Sequence, residues 1–317
     1  MTLMTPQIYT TETQAVRGLA ALIEAYPQEA TAALRGSGFE LSGLIDPLSV
    51  RPEKARSDLP VRTETNEVIH FEVKVDDHVD PTQLRGICAK YPKAKIVLLI
   101  ADKESPDVVG ISSDLLNKIT IIEWSVFLSW FSSAHVARLQ ADVRSIVEDP
   151  CSKRSQRYVL RSALDSVSVP DSAWDPQLIP TENRLPAVLL DSPCGNVRAQ
   201  LEVTKQRGVL RFTPGIGFIY PRGDAEESAN AKLIALLRKV RSPLEEAERE
   251  HQFVISMNMN KSSQRVKDLG FEDAPYYTRG YEGDYIGVKL KSTADAHAAL
   301  EQLYNAFRVF ETVAQLP

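Results

Sequence analysis

Val68-Ile-His-Phe-Glu-Val-Lys-Val75 is the stretch that decides the fold, because a strand pattern there carries polar groups that a simple sheet does not require. Successive side chains of a strand point to opposite faces. Ile69, Phe71, Val73 and Val75 therefore form an apolar row, and Val68, His70, Glu72 and Lys74 form the other. Before it, Asp58-Leu-Pro-Val61 opens a second short apolar run, and Thr65-Asn66-Glu67 supplies a tight connection of the hairpin kind. Folded as a hairpin, the chain brings Asp58 beside Glu72 and Lys74.

Two carboxylates and an ammonium group at one end of a hairpin make a chemical set. The carboxylates offer oxygen ligands to a hard divalent cation such as Mg²⁺ or Mn²⁺, with water and a phosphate filling the remaining positions. Such an ion polarises a phosphoryl group and acidifies a bound water. The lysine orients that water or stabilises charge developing on the phosphate. Phosphodiester hydrolysis is the reaction this set fits.

Asp58, then Glu72-Val73-Lys74, then Gln83-Leu84 on a following helix resembles the PD-(D/E)XK nuclease superfamily. The resemblance covers roughly the first 130 residues. It implies an α/β restriction-endonuclease-like core, a mixed sheet flanked by helices, in the order helix, three meandering strands, helix, strand. It also implies that Asp58, Glu72 and the backbone carbonyl of Val73 bind Mg²⁺ or Mn²⁺, that Lys74 works on the water, and that Gln83 supports the site. A first-helix glutamate sometimes joins the metal in this family, and Glu24 is the candidate. Ser57 stands where the family often has proline, and Ile87 where it often has tyrosine, with Tyr91 one turn further on.

The helix that would precede the meander is read from Val16, Leu19, Leu22 and Ile23 at helical spacing, with Thr10 or Thr11 as its cap. A second helix is expected over 28–34 and the first meander strand over 48–51. Asp46 and Glu64 are substitute ligands should Asp58 not reach the site. Asp80 caps a helix beginning at Pro81, which places Gln83 in its first turn. Asp76, Asp77 and His78 read as a solvated turn, and His70 as a packed histidine. Ala94 to Ala101 is a continuous apolar run of the kind buried on both faces of a parallel sheet. Trp124, Trp130 and Phe131 read as core residues.

Lys153, Arg154, Arg157 and Arg161 recur at helical spacing as a basic stripe that either touches nucleic-acid phosphates or forms a solvated helix face. Four prolines between Val167 and Pro186 mark a linker. The expected division is therefore a first domain over 1–165, a linker over 166–186, and an α+β domain over 187–317 for recognition, sensing or assembly. In that last domain, strands are expected over 187–190, 197–204, 208–220, 253–257 and 285–290, and helices over 224–241 and 294–313. The tyrosines from Tyr276 to Tyr285 either pack into the sheet or meet a base or small ligand.

The 317 residues carry a formal charge of −5. Through residue 150 there are 15 Lys and Arg against 21 Asp and Glu, and thereafter 22 against 21, so the halves are −6 and +1. An acidic first half argues against strong nonspecific nucleic-acid affinity, which depends on neutralising phosphates. It leaves open the rival reading, a catalytically silent nuclease fold used for binding or assembly. The three cysteines lack metal spacing, no Walker or Rossmann glycine pattern occurs, and no apolar stretch reaches membrane-spanning length. Residues 1–13 lack a basic start followed by an apolar run. A cytoplasmic protein that contacts DNA in preference to RNA, uses no membrane, and pairs with itself or with a ligand or protein at its second domain is the resulting expectation.

Overall fold

In the computed structural model the Val68–Lys74 strand, β2, is buried along nearly its whole length. The structure describes residues 8–52, 58–77, 79–101, 108, 111–181, 185–219, 227–256, 277–279 and 285–315. The chain forms two compact units, 1–154 and 155–317.

The first unit opens with α1 (Glu12–Ala25), capped by the Thr11 hydroxyl, which accepts from the Gln14 N–H, and α2 (Pro27–Gly36), which starts on a proline. Strand β1 (Leu59–Arg62) pairs antiparallel with β2, Leu59 opposite Phe71. Asn66 turns the hairpin at φ 62°, a conformation that asparagine tolerates. The chain then forms α3 (Pro81–Lys90), β3 (Lys95–Ile100), α4 (Ser113–Leu116), β4 (Ile119–Glu123), α5 (Trp124–Leu128) and α6 (Ala134–Glu148). Strands β2, β3 and β4 run parallel, giving a four-stranded mixed sheet in the order β1-β2-β3-β4.

Both faces of this sheet are covered, as a parallel arrangement demands. Ile69, Phe71, Val73, Val97 and Leu99 join a core with α1, α2, α5 and α6. Ile96, Leu98 and Ile100 join Leu84 and Ile87 of α3 and Leu115 of α4 on the opposite side. His70, Glu72 and Lys74 share this second face, paired with Ile96, Leu98 and Ile100.

Residues 48–51 do not form the expected strand. Pro47–Ser49 is a turn of 3-10 helix, because the Asp46 carboxylate accepts from the Leu48 N–H and Pro47 fixes the first position. The contact with β1 comes slightly earlier: Asp46 donates its N–H to Arg62 O at 2.8 Å, and Glu64 donates to Leu44 O at 2.9 Å. This short antiparallel bridge adjoins the end of β1 away from Asp58 and carries both substitute ligands there. Trp130 is also not a core residue: it stays exposed, with its ring over Gly36, where a Cβ would collide with it.

Helix α7 (Lys153–Ser166) begins at the unit boundary. Its Leu160 and Ala163 are wholly buried in the second core, and the two units divide within its first turn, between Arg154 and Ser155, ahead of the proline-rich stretch. Part of that stretch, Gln177–Pro180, is strand β5. The second unit continues with β6 (Pro186–Asp191), β7 (Val197–Gln206), β8 (Val209–Ile219), α8 (Glu227–Arg249), β9 (Thr278–Arg279), β10 (Tyr285–Lys289) and α9 (Ala296–Gln315). Its sheet is antiparallel in the order β5-β6-β7-β8-β10-β9. Val197, Leu201, Phe212, Ile216, Phe218, Ile286 and Val288 pack with Leu237, Leu244, Leu303 and Phe307.

Helix α8 passes through Pro243 and extends beyond the expected end, because Leu244 and Ala247 carry the buried stripe past the proline. Ile255 contributes an isolated bridge to Leu290 where a strand was expected, and Met257 lies outside the described residues. Tyr277 and Tyr285 are packed, whereas Tyr276 and Tyr281 fall outside the description. Gly217 lies opposite Gly287 in the β8–β10 pair, and a Cβ on either would strike the other strand's backbone. No described helix is long and apolar enough to cross a membrane.

Candidate active site

Alternation along β2 sets Glu72 and Lys74 on one face, and the hairpin register sets Asp58 next to them. Leu59 pairs with Phe71, so Asp58 falls level with Glu72, and its Oδ2 accepts the Val73 N–H at 2.8 Å. The Lys74 ammonium lies 2.8 Å from Glu72 Oε1, and their side chains are 8% and 1% exposed. Apart from this contact with Lys74, the Glu72 carboxylate gathers no hydrogen bond. A buried carboxylate normally gathers several donors, so this one rests on a single cationic partner.

Electrostatics follow from that burial. Removal from water drives the Glu72 carboxyl up to about 7; Lys74 opposes the rise, while the negative charges of Asp58 and Glu12 add to it. Burial likewise raises Asp58, against Lys74 and the Val73 N–H. Burial acts to lower Lys74, but Glu72, Glu12 and Asp58 outweigh it, and the ammonium is held above its ordinary value. The lysine is therefore a firm cation, suited to orienting and stabilising and not to accepting a proton.

Glu12 is the participant that sequence reasoning missed. From the first turn of α1, its Oε2 accepts from the N–H groups of Val75, Asp76 and Asp77 at 2.7, 3.2 and 3.1 Å. Glu24, the expected first-helix acid, is exposed near the far end of the same helix. Nothing in the sequence separates Glu12 from an ordinary first-turn acid; only the tertiary approach of α1 to the end of β2 gives it a role. The acidic turn is also built in more than expected. The Asp76 carboxylate accepts the Arg154 N–H at 2.9 Å, and the charge of Asp77 acts on Asp58, whereas His78 lies outside the described residues.

Asp80 caps α3 through the Thr82 N–H with Pro81 first, which puts Gln83 half-buried in the opening turn. It makes none of the hydrogen bonds that link Glu12 and Asp58 to β2. His70 stacks on Tyr91 with ring centroids 4.3 Å apart, and burial together with Lys90 lowers its affinity for a proton. Lys153, Arg154 and Arg157 are half-buried on α7, and Arg161 is exposed.

Asp58 and Glu72 fit a divalent cation on one observation above others: the buried Glu72 carboxylate is paired with Lys74 through Oε1 and has no hydrogen bond on Oε2. Among the described residues no group of three or more His, Cys, Asp or Glu is arranged to hold a metal. Mg²⁺ does not need such a cage, because one or two carboxylates with water and phosphate commonly suffice. Comparisons with protein-family models, with curated proteins and with solved structures return no match for this chain.

Proposed function

We propose that the first unit is a metal-dependent nuclease that hydrolyses phosphodiester bonds, in DNA before RNA, through a core of the restriction-endonuclease kind. The observation that carries this reading is the buried Glu72 carboxylate, ion-paired with Lys74 and level with Asp58 at the start of the neighbouring strand. Asp58 and Glu72, with the Val73 carbonyl, are the ligands that would hold Mg²⁺ or Mn²⁺. The bound ion would supply Lewis-acid polarisation of the phosphate and an acidified water.

The chain's own groups do the rest. Lys74, kept cationic by its acidic neighbours, orients the attacking water and stabilises negative charge as the P–O bond breaks. The Val73 N–H fixes the Asp58 carboxylate, and Glu12 fixes the strand exit just beyond Lys74. Gln83 supports the site from the first turn of α3.

Cleavage of plasmid and single-stranded DNA by the whole protein with Mg²⁺ or Mn²⁺ tests this. Glu72→Gln and Lys74→Ala should each lower the rate by about 10²-fold or more while remaining folded. The acidity of the first 150 residues favours one other reading, a silent nuclease fold that binds or assembles. An inert wild type across both metals and both DNA forms would narrow the choice to that alternative or to an enzyme that awaits an activator.

A further inference from the structure

We infer that the outward face of α3, with the turn that leads into β3, seats the phosphate backbone of duplex DNA; the choice of this polyanion rests on the nuclease reading. Residues 81–101 carry Arg85, Lys90, Lys93 and Lys95 and no acidic residue. The rest of the first 150 residues holds 11 Lys and Arg against 21 Asp and Glu, a charge of −10. An anionic polymer is repelled by that remainder and drawn to this one stretch.

Leu84 and Ile87 turn one side of α3 into the core. Arg85, Gly86 and Lys90 are left exposed on the other, with Lys93 exposed in the turn that follows. Among the described residues none of Arg85, Lys90 and Lys93 is ion-paired, whereas Lys95 is bound to Glu67. The Lys90 ammonium is steadied over the Tyr91 ring, 5.0 Å from its centroid. Only residues 75–80 join Lys74 to α3, so the helix starts at the site end of the sheet, with Gln83 in its first turn. It leads back to β3, whose Lys95 is level with Ile69 near the far end of β2. Its 10 residues span about 15 Å, roughly four nucleotides of one duplex strand.

Gly86 is the residue that packing within the chain does not explain. It sits mid-helix, where only proline is a poorer helix former, and a Cβ there would meet nothing within 4 Å. Its backbone is not in the left-handed region, so no turn requires it. Between Arg85 and Lys90, a missing side chain lets the backbone of another molecule come close. The flanking guanidinium and ammonium groups donate to phosphate oxygens, contacts that position a duplex without reading its sequence.

Fluorescence anisotropy of a labelled duplex of about 20 base pairs with the whole protein, in Ca²⁺ and across a range of NaCl concentrations, tests the assignment. Arg85→Gln, Lys90→Gln and Lys93→Gln should each weaken binding about threefold or more and lower the slope of log affinity against log salt by about one. Gly86→Leu should melt higher than the parent, because leucine is the better helix former, yet bind about tenfold more weakly. A parent that binds no DNA, unchanged affinity and slope in the three charge variants, or undiminished affinity in Gly86→Leu would each overturn the assignment. A lowered melting temperature for Gly86→Leu would do so too, because the glycine would then have a structural cause. Equal affinity for polyglutamate would also overturn it, making this face a seat for an acidic protein. Cleavage in Mg²⁺ separates the two readings: binding through α3 without cutting removes the nuclease and keeps the assignment, and cutting with unaltered α3 variants does the reverse.

Discussion

Glu72 is costly to bury as an anion, and that cost sets how the protein responds to pH. Its carboxyl rises from 4.5 to about 7 on folding. Between those values the folded chain keeps a proton that the unfolded chain has released, so stability falls as pH rises through this window and levels off above it. The loss approaches ~3 kcal/mol, and the raised Asp58 adds in the same direction. Urea unfolding at pH 5 and pH 8 should show this slope, Glu72→Gln should flatten it, and Mg²⁺ at pH 8 should recover part of the loss. Lys74→Ala strands the carboxylate, so its penalty should be about 3–5 kcal/mol at pH 8 and smaller at pH 5, where Glu72 is protonated. Equal penalties at both values would contradict the pairing. These residues were legible in the sequence because strand alternation and hairpin spacing are local rules. Glu12 was not legible, because it acts across 63 residues on the N–H of Val75.

Strand β2 is held at its exit by another element. Glu12 caps three consecutive N–H groups there, and at the start of α1 its charge also suits the helix dipole. Glu12→Ala should therefore cost about 2 kcal/mol or more, and Glu12→Gln, which keeps an acceptor, distinctly less. Hydrogen exchange at Val75, Asp76 and Asp77 should accelerate in the alanine variant ahead of exchange in β3. Uniform acceleration would mean the clamp is only a general stabiliser. The helices and inner strands followed their apolar periodicity, whereas two short-range signals were overruled. Asp46 and Pro47 turned an expected strand into 3-10 helix, and burial of Leu244 and Ala247 carried α8 through Pro243.

The chain passes from the first unit to the second in the first turn of α7, although prolines mark the chain after that helix. Proline density reports local backbone restriction, but a domain boundary depends on which core a helix fills, and Leu160 and Ala163 fill the second. A fragment spanning 152–317 should therefore unfold cooperatively. One spanning 167–317 should melt well below it or aggregate, having lost two fully buried side chains from its core. Equal melting temperatures would place the boundary where the prolines are. Within this unit, β10 returns to β8 only after the long excursion through α8, and it meets the older strand at Gly217 and Gly287. A slip of one or two positions would bring a side chain against backbone at a place with no room for one. The two glycines thus work as a lock with a single key position: only the alignment that sets one against the other lets the two backbones lie this close.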